Sequence, residues 1–221
     1  MTEALWQPFY LSLRISALAT LVALLIAVPV AYLNARRRYW GKSLFEGLII
    51  VPMVLPPTVV GYLIIVMLGA KGLTGQFLNR WFSYSIMFRM EGAVLAAAIV
   101  ALPLLYLPAR AAFAAIDREL EDLARVEGAN RFQLFWHVSL PMSMKGLTSG
   151  VMLAFARALG EFGATVMVFG IRENKLTLPL SIYFDYTDNN MGRAMPAVVI
   201  LCLLSLAITL LYNRSALSRQ T

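Results

Sequence analysis

The chain has 221 residues, 60% of them hydrophobic and 14% charged, with a mean hydropathy of +0.71. Soluble domains carry about a quarter charged residues, so water on all sides is excluded as the solvent for so apolar a surface. The formal charge of +7 comes with no basic run interleaved with aromatics, which excludes nucleic acid as its explanation, and the single cysteine, Cys202, excludes an internal disulfide.

The N-terminus does not read as a cleavable leader: Glu3 stands where a positive n-region belongs, and the apolar run behind it is too long for an h-region. A bilayer core of about 30 Å takes roughly 20 apolar residues of helix to cross. Residues 11–33 supply the first such run, with Arg14 placed to snorkel to the interface. Residues 48–68 supply the second and carry Pro52, Pro56 and Pro57. The third covers 93–107 and extends toward 112, the fourth covers 147–168 and contains Arg157 and Glu161, and the fifth covers 196–212. No segment alternates polar and apolar residues as barrel strands do. The expectation is an all-α integral membrane protein of about five transmembrane helices.

Lys and Arg near the span ends set the orientation. One group of loops holds Arg36, Arg37, Arg38, Lys42, Arg110, Arg118, Arg125, Arg131, Lys145, Arg214 and Arg219. The other, smaller group holds Lys71, Arg80, Arg89, Arg172, Lys175 and Arg193. The larger group marks the cytoplasmic side, leaving the N-terminus outside and the C-terminus inside. On the outer side, 73–90 brings Trp81, Phe82 and Tyr84, and 178–186 brings Tyr183, Phe184 and Tyr186. They suit an interfacial aromatic belt or a docking surface for an external partner.

The cytoplasmic segment 114–145 is the most informative. A charged helix through Glu121, Asp122 and Arg125 leads to Gly128, which permits a sharp reversal, and a second short helix displays Phe132, Phe135 and Trp136. Pro141 is expected to end that second helix before the next span. Periodicity alone fits two readings, a hairpin lying on lipid headgroups and apolar anchors for a groove in a partner. His137, with no second ligand at metal-binding spacing, reads as an interface residue rather than a metal ligand.

The spacing here resembles the coupling loop of bacterial ABC importer permeases, whose pattern is E-A-A, three residues, Gly, nine residues, then I-x-L-P. Asp122, Leu123, Ala124, Gly128, Val138, Leu140 and Pro141 occupy those positions, with Asp for Glu, Leu for Ala and Val for Ile. In that family the loop docks into a cleft on an ATP-hydrolysing subunit, and Phe132 joins the expected coupling set. Two further stretches, Val51-Pro52-Met53-Val54-Leu55-Pro56-Pro57-Thr58-Val59-Val60-Gly61-Tyr62 and Ala154-Phe155-Ala156-Arg157-Ala158-Leu159-Gly160-Glu161-Phe162-Gly163-Ala164, look like those of molybdate importer permeases. Related forms of the second occur in sulfate and tungstate permeases.

The resemblance implies a type I ABC importer permease fold, one permease domain over 1–221, in the cytoplasmic membrane of a bacterium or archaeon. It also implies a homodimer with two ATPase subunits and an extracytoplasmic oxyanion-binding protein. ATP is then used by the partner, and no cofactor is bound by this chain. Gly41-Lys42-Ser43 is no P-loop of its own, because the motif needs Gly five positions earlier and Arg36 stands there.

Arg157 and Glu161 lie one helical turn apart and can pair, either along a translocation path or as a static pair joining helices. Gly160 and Gly163 are expected to let helices approach closely. Pro56 and Pro57 shape either a gate or a fixed kink, and Thr58 and Thr165 offer hydroxyls to a cavity or to a neighbouring helix. The same machinery carrying tungstate or sulfate is the nearest alternative. An ATP-independent channel or secondary transporter is the next, and a membrane-anchored assembly factor stands behind both.

Overall fold

The structure, a computed structural model, describes residues 2–170 and 176–217; the loop charges Arg172, Lys175 and Arg219 counted above lie outside the described residues. Every regular element described is a helix. Three are long and apolar enough to cross a membrane: α1 (Thr2–Arg36), α5 (Met90–Ala114) and α11 (Met191–Leu217). Two bent pairs bring the number of spans to as many as five.

The first bent pair covers the expected second span over 48–68 and breaks at Pro56 and Pro57, the prolines expected to shape a gate or a kink there. Helix α2 (Lys42–Val54) and helix α3 (Pro57–Leu68) turn through 116° between them. A residue that precedes proline is pushed out of the α region by the proline ring. Here Leu55 precedes Pro56 and Pro56 precedes Pro57, so two successive residues go extended, at φ −68, ψ 143 and φ −53, ψ 133. Isolated prolines do not break their helices: Pro52 stays within α2, Pro29 within α1, and Pro103 and Pro108 within α5.

The second bent pair contains the expected fourth span over 147–168 and begins well upstream of it. Helix α6 (Arg118–Val126) follows the short amphipathic helix α4 (Leu73–Phe82) and α5 in chain order. Next, α7 (Arg131–Leu134) runs through a π-type turn at Phe135–Ser139 directly into α8 (Leu140–Leu159). Pro141 therefore does not end a helix. It sits in the first turn of α8, and the wider turn before it, where the Leu140 N–H bonds Phe135 O, absorbs the missing proline donor. The helix then bends by 58° between Leu159 and Gly163 into α9 (Gly163–Phe169). Helix α10 (Leu178–Thr187) precedes α11.

Small residues bring the spans together. On α1, Ala19, Ala23, Ala27 and Ala31 recur every fourth residue and are wholly buried, as are Ala93, Ala97 and Ala101 on α5. On α8, a Cβ at Gly146 would lie 2.5 Å from Ala112 Cβ, and one at Gly150 would lie 3.1 Å from Leu105 O. In hydrocarbon, dispersion between closely apposed backbones replaces the hydrophobic drive that water supplies elsewhere. By contrast α2 has no buried residue, and α11 shows Val199, Leu203, Leu206 and Leu210 at its surface.

Candidate functional site: a helical hairpin and a pair of broken helices

The hairpin is defined by local chemistry. Asp117 caps α6 by accepting a hydrogen bond from Glu119 N–H at 3.0 Å. At the other end Gly128 adopts φ +92, its N–H bonds Arg125 O at 3.0 Å, and Ala129 N–H bonds Ala124 O at 2.9 Å. This is the paired closure of a Schellman turn, and it explains the spacing from Ala124 to Gly128. Asn130 then opens α7 with a reciprocal capping box to Gln133.

Glu121 fastens the hairpin to the membrane helices, a role its place in a charged helix does not reveal. It is 4% exposed. Arg36 Nη2 at the end of α1 donates to Glu121 Oε1 at 3.1 Å and to Ile116 O at 2.9 Å, while Ser139 Oγ donates to the same carboxylate at 3.3 Å. Arg125 adds a 3.6 Å ion pair to Glu121 Oε2 and a second one to Asp122. Beneath this cluster Tyr32, Phe113 and Phe135 pack edge to face, the last two with Tyr32 at 5.3 and 4.9 Å.

Exposed apolar side chains also mark the hairpin. Leu120, Leu123, Val126, Phe132 and Trp136 are all exposed, and the rings of Phe132 and Trp136 lie 6.0 Å apart. Among the remaining coupling-set residues, Asp122 is exposed, Ala124, Val138 and Leu140 are half-buried, and Pro141 is exposed. His137 Nδ1 lies 3.1 Å from Gln133 O, which occupies one ring nitrogen.

The second cluster lies where the two broken helices meet. A Cβ on Gly163 would stand 3.0 Å from Pro57 Cβ and 3.2 Å from Thr58 N; one on Gly61 would stand 2.9 Å from Ala164 Cα. Helices α3 and α9 are thus in backbone contact, and the residues after each break touch one another. Gly160 makes no close approach to another helix of this chain. It is exposed, and a Cβ there would meet only its own helix, Ala156 O at 3.8 Å.

Arg157 and Glu161 pair at 2.7 Å across the bend, and the glutamate side chain is 1% exposed against 29% for the arginine. The approach is ionic, since Glu161 Oε2 has no hydrogen bond of good geometry. Glu161 Oε1 accepts a 2.7 Å hydrogen bond from Ala164 N–H in the first turn of α9. The carboxylate therefore satisfies one of the backbone donors the break exposes. Around it Ser12, Ser16, Thr165 and Thr177 close a cavity of about 10 Å³, in which the Thr177 hydroxyl has no partner. Pro56 and Thr58 lie exposed on the other side of the contact.

A third polar knot was also missed. Glu46 on α2 takes hydrogen bonds from Arg110 Nη1 at 3.0 and 3.1 Å and from Tyr106 OH at 3.3 Å, and Asn34 Nδ2 donates to Tyr106 OH at 3.0 Å. The available signal was an acidic residue inside an otherwise apolar stretch. Its partners, 60 and 64 positions away, leave no local trace.

Residues 19–217 match the family of binding-protein-dependent transport system inner membrane components. The chain is 38% identical over 214 residues to the molybdenum transport system permease protein ModB of Escherichia coli K12, covering 96% of this chain and 91% of that one. It is 41% identical over 204 residues to the ModB protein of Haemophilus influenzae, covering 90% and 89%. Among solved structures, the MetNI methionine ABC transporter in its inward-facing form matches with a TM-score of 0.74 at 18% identity, covering 97% of this chain and 95% of that one, which establishes the shared fold. The chain belongs to the binding-protein-dependent permease family of the inner membrane.

Proposed function

We propose that this member of the permease family is the membrane subunit of an ABC importer that carries molybdate inward. The observation that carries the cargo assignment is the 38–41% identity, over nine-tenths of the chain, to permeases whose names give molybdenum transport. A tetrahedral oxyanion cannot dissolve in hydrocarbon, because burying an unpaired charge is prohibitive; it needs a wet path opened to one side at a time. The whole chain acts as one permease unit, two copies enclose the path, and an extracytoplasmic binding protein delivers the anion. The N-terminus lies outside and the C-terminus in the cytoplasm.

Energy comes from two separate ATPase subunits, the partners that the resemblance of the coupling loop implies. The exposed apolar face of the α6–α7 hairpin supports docking of those subunits, with Leu123, Val126, Phe132 and Trp136 as the anchors and Asp122 at the rim. Closure of the ATPases then pushes a connector that does not flex internally, because α7, the π-type turn and α8 form one helix of about 40 Å at ~1.5 Å per residue. Its far end is the 58° bend, where α9 leans on α3 beside Pro57 and Thr58. A shift at the hairpin thus reaches both breaks through packed backbone, the rigid connection such coupling requires. In this mechanism Pro56, Pro57, Thr58, Gly160 and Gly163 border the moving region, and Arg157 is the member of its ion pair that water can reach.

Replacing Cys202 by serine and placing one cysteine at Glu127 tests the arrangement in intact cells. The Glu127→Cys thiol should react with a membrane-permeant maleimide and resist an impermeant one. Reaction with the impermeant reagent from outside would put the hairpin on the wrong side and end this reading. For the cargo, anion-dependent uptake in the assembled transporter should follow molybdate over sulfate, and the reverse order would move the assignment to sulfate.

A further inference from the structure

Where α1 leaves the membrane, a cleft of about 610 Å³ opens between its last turn and the hairpin. Five arginines line it: Arg36 at the end of α1 and Arg37 just after it, Arg118 and Arg125 from α6, and Arg131 from α7. The two carboxylates in the same wall, Glu121 and Asp122, are already engaged by Arg36 and Arg125. Arg37, Arg118 and Arg131 are exposed and form no ion pair among the described residues. Three guanidiniums that form no ion pair, on α6, on α7 and on the residue that follows α1, therefore line one cleft, each with a planar fork that fits phosphate oxygens.

A second cleft of about 450 Å³ adjoins the first and shares Leu33 and Arg37 with it. Its apolar wall is Val30, Leu33 and Phe45, so the charged cleft continues into a greasy one along the side of a membrane span. We infer that the joined clefts seat an anionic phospholipid, with its phosphate among Arg37, Arg118 and Arg131 and an acyl chain against Val30, Leu33 and Phe45. Basic pockets at the ends of membrane helices attract anionic headgroups in this way. A free phosphate would satisfy the arginines but would have no use for the apolar half.

The site is compatible with a partner on the hairpin. The residues of α6 that face the cleft, at 118, 121, 122 and 125, follow one helical stripe, whereas Leu123 and Val126 lie on another. A headgroup bound here would tie the end of α1 to both arms of the hairpin and brace it against the membrane. The inference requires α1 to span the bilayer and stands whether or not the hairpin docks an ATPase. With the orientation proposed above, the lipid belongs to the inner leaflet.

The test is native mass spectrometry of the full-length chain, delipidated together with any subunits that accompany it, then titrated with phosphatidylglycerol, phosphatidylcholine or inorganic phosphate. Phosphatidylglycerol should be retained in preference to phosphatidylcholine, and inorganic phosphate should not displace it. Each of Arg37→Gln, Arg118→Gln and Arg131→Gln should weaken retention about fivefold, and the triple variant roughly a hundredfold, at ~1 kcal/mol for each basic residue near the membrane surface. The single variants remain informative if the triple variant is poorly produced. Arg80→Gln with Arg193→Gln, exposed positions outside the cleft, should leave retention unchanged. Equal retention of phosphatidylcholine, an unaltered affinity in the arginine variants, or displacement by inorganic phosphate would each overturn the assignment, the last in favour of a soluble anion.

Discussion

Replacing Glu161 by alanine removes both partners that its carboxylate serves, the Arg157 guanidinium at 2.7 Å and the Ala164 N–H at 2.7 Å. Leaving a buried backbone donor without an acceptor costs about 1–3 kcal/mol. Breaking a buried ion pair by deleting one member costs about 3–5 kcal/mol, but Arg157 keeps 29% exposure and can recover part of its solvation. Together the loss should be about 3–5 kcal/mol. Glu161→Gln retains an amide oxygen to accept from Ala164 and surrenders only the ionic part, so it should cost about 1–3 kcal/mol less than the alanine change. Thermal unfolding of the detergent-purified transporter, beside ATP-driven uptake, measures both variants. Arg157→Gln combined with Glu161→Ala should restore some of the stability lost by Glu161→Ala alone. If Glu161→Gln is as damaging as Glu161→Ala, the capping role assigned to Oε1 is wrong; if both are silent, the pair contributes nothing to the bend.

Gly128→Val should destabilise the hairpin by about 1–2 kcal/mol through its φ of +92 and lower coupled uptake; crowding plays no part, because a Cβ there meets nothing within 4 Å. Gly128→Asp should show the same strain with more tolerance, and uptake that survives Gly128→Val undiminished would deny the turn its role. Phe132→Ala with Trp136→Ala should reduce co-purification of the ATPase by roughly 10- to 100-fold, the weight of one or two aromatic interface anchors, with only a small drop in the permease's own unfolding temperature from the lost contact of Trp136 with Phe135. Gly146→Leu should disrupt the α5–α8 contact by about 1–3 kcal/mol of overpacking or more, visible as a loss of folded protein, whereas Gly192→Leu, with open space around it, should be tolerated.

The hairpin was legible in the sequence because everything that shapes it is local. Gly128 closes α6 through carbonyls three and five residues back, and Asn130 caps α7 through a residue three ahead. What fastens the hairpin was not legible, since Arg36 and Glu121 are 85 positions apart and either could have been a solvated surface charge. Over 48–68 the paired prolines announce a break, but hydropathy registers apolar length and is blind to direction, so the 116° turn is not legible from it. Pro141 misled in the opposite sense, as a π-type turn lets a helix carry a proline that would otherwise stop it. The glycine pair Gly146 and Gly150 stands four apart on the face that meets α5, but its partners Ala112 and Leu105 are distant in sequence and leave no local trace.

The two breaks and the buried charge answer one physical requirement. Irregular backbone at membrane depth survives only where its polar groups find partners inside the protein. The α2–α3 break retains Leu55 N–H to Val51 O and Val60 N–H to Pro56 O, and its two prolines present no donor at all. The α8–α9 break has no proline, so its donors need acceptors: Gly160 N–H takes Ala156 O, Glu161 N–H takes Ala158 O, and Ala164 N–H takes the Glu161 side chain. A carboxylate placed there is itself expensive unless a cation stands beside it, which is what Arg157, one turn earlier, provides. The glutamate is therefore tied to the shape of the bend, and of the pair only the arginine keeps part of its side chain exposed.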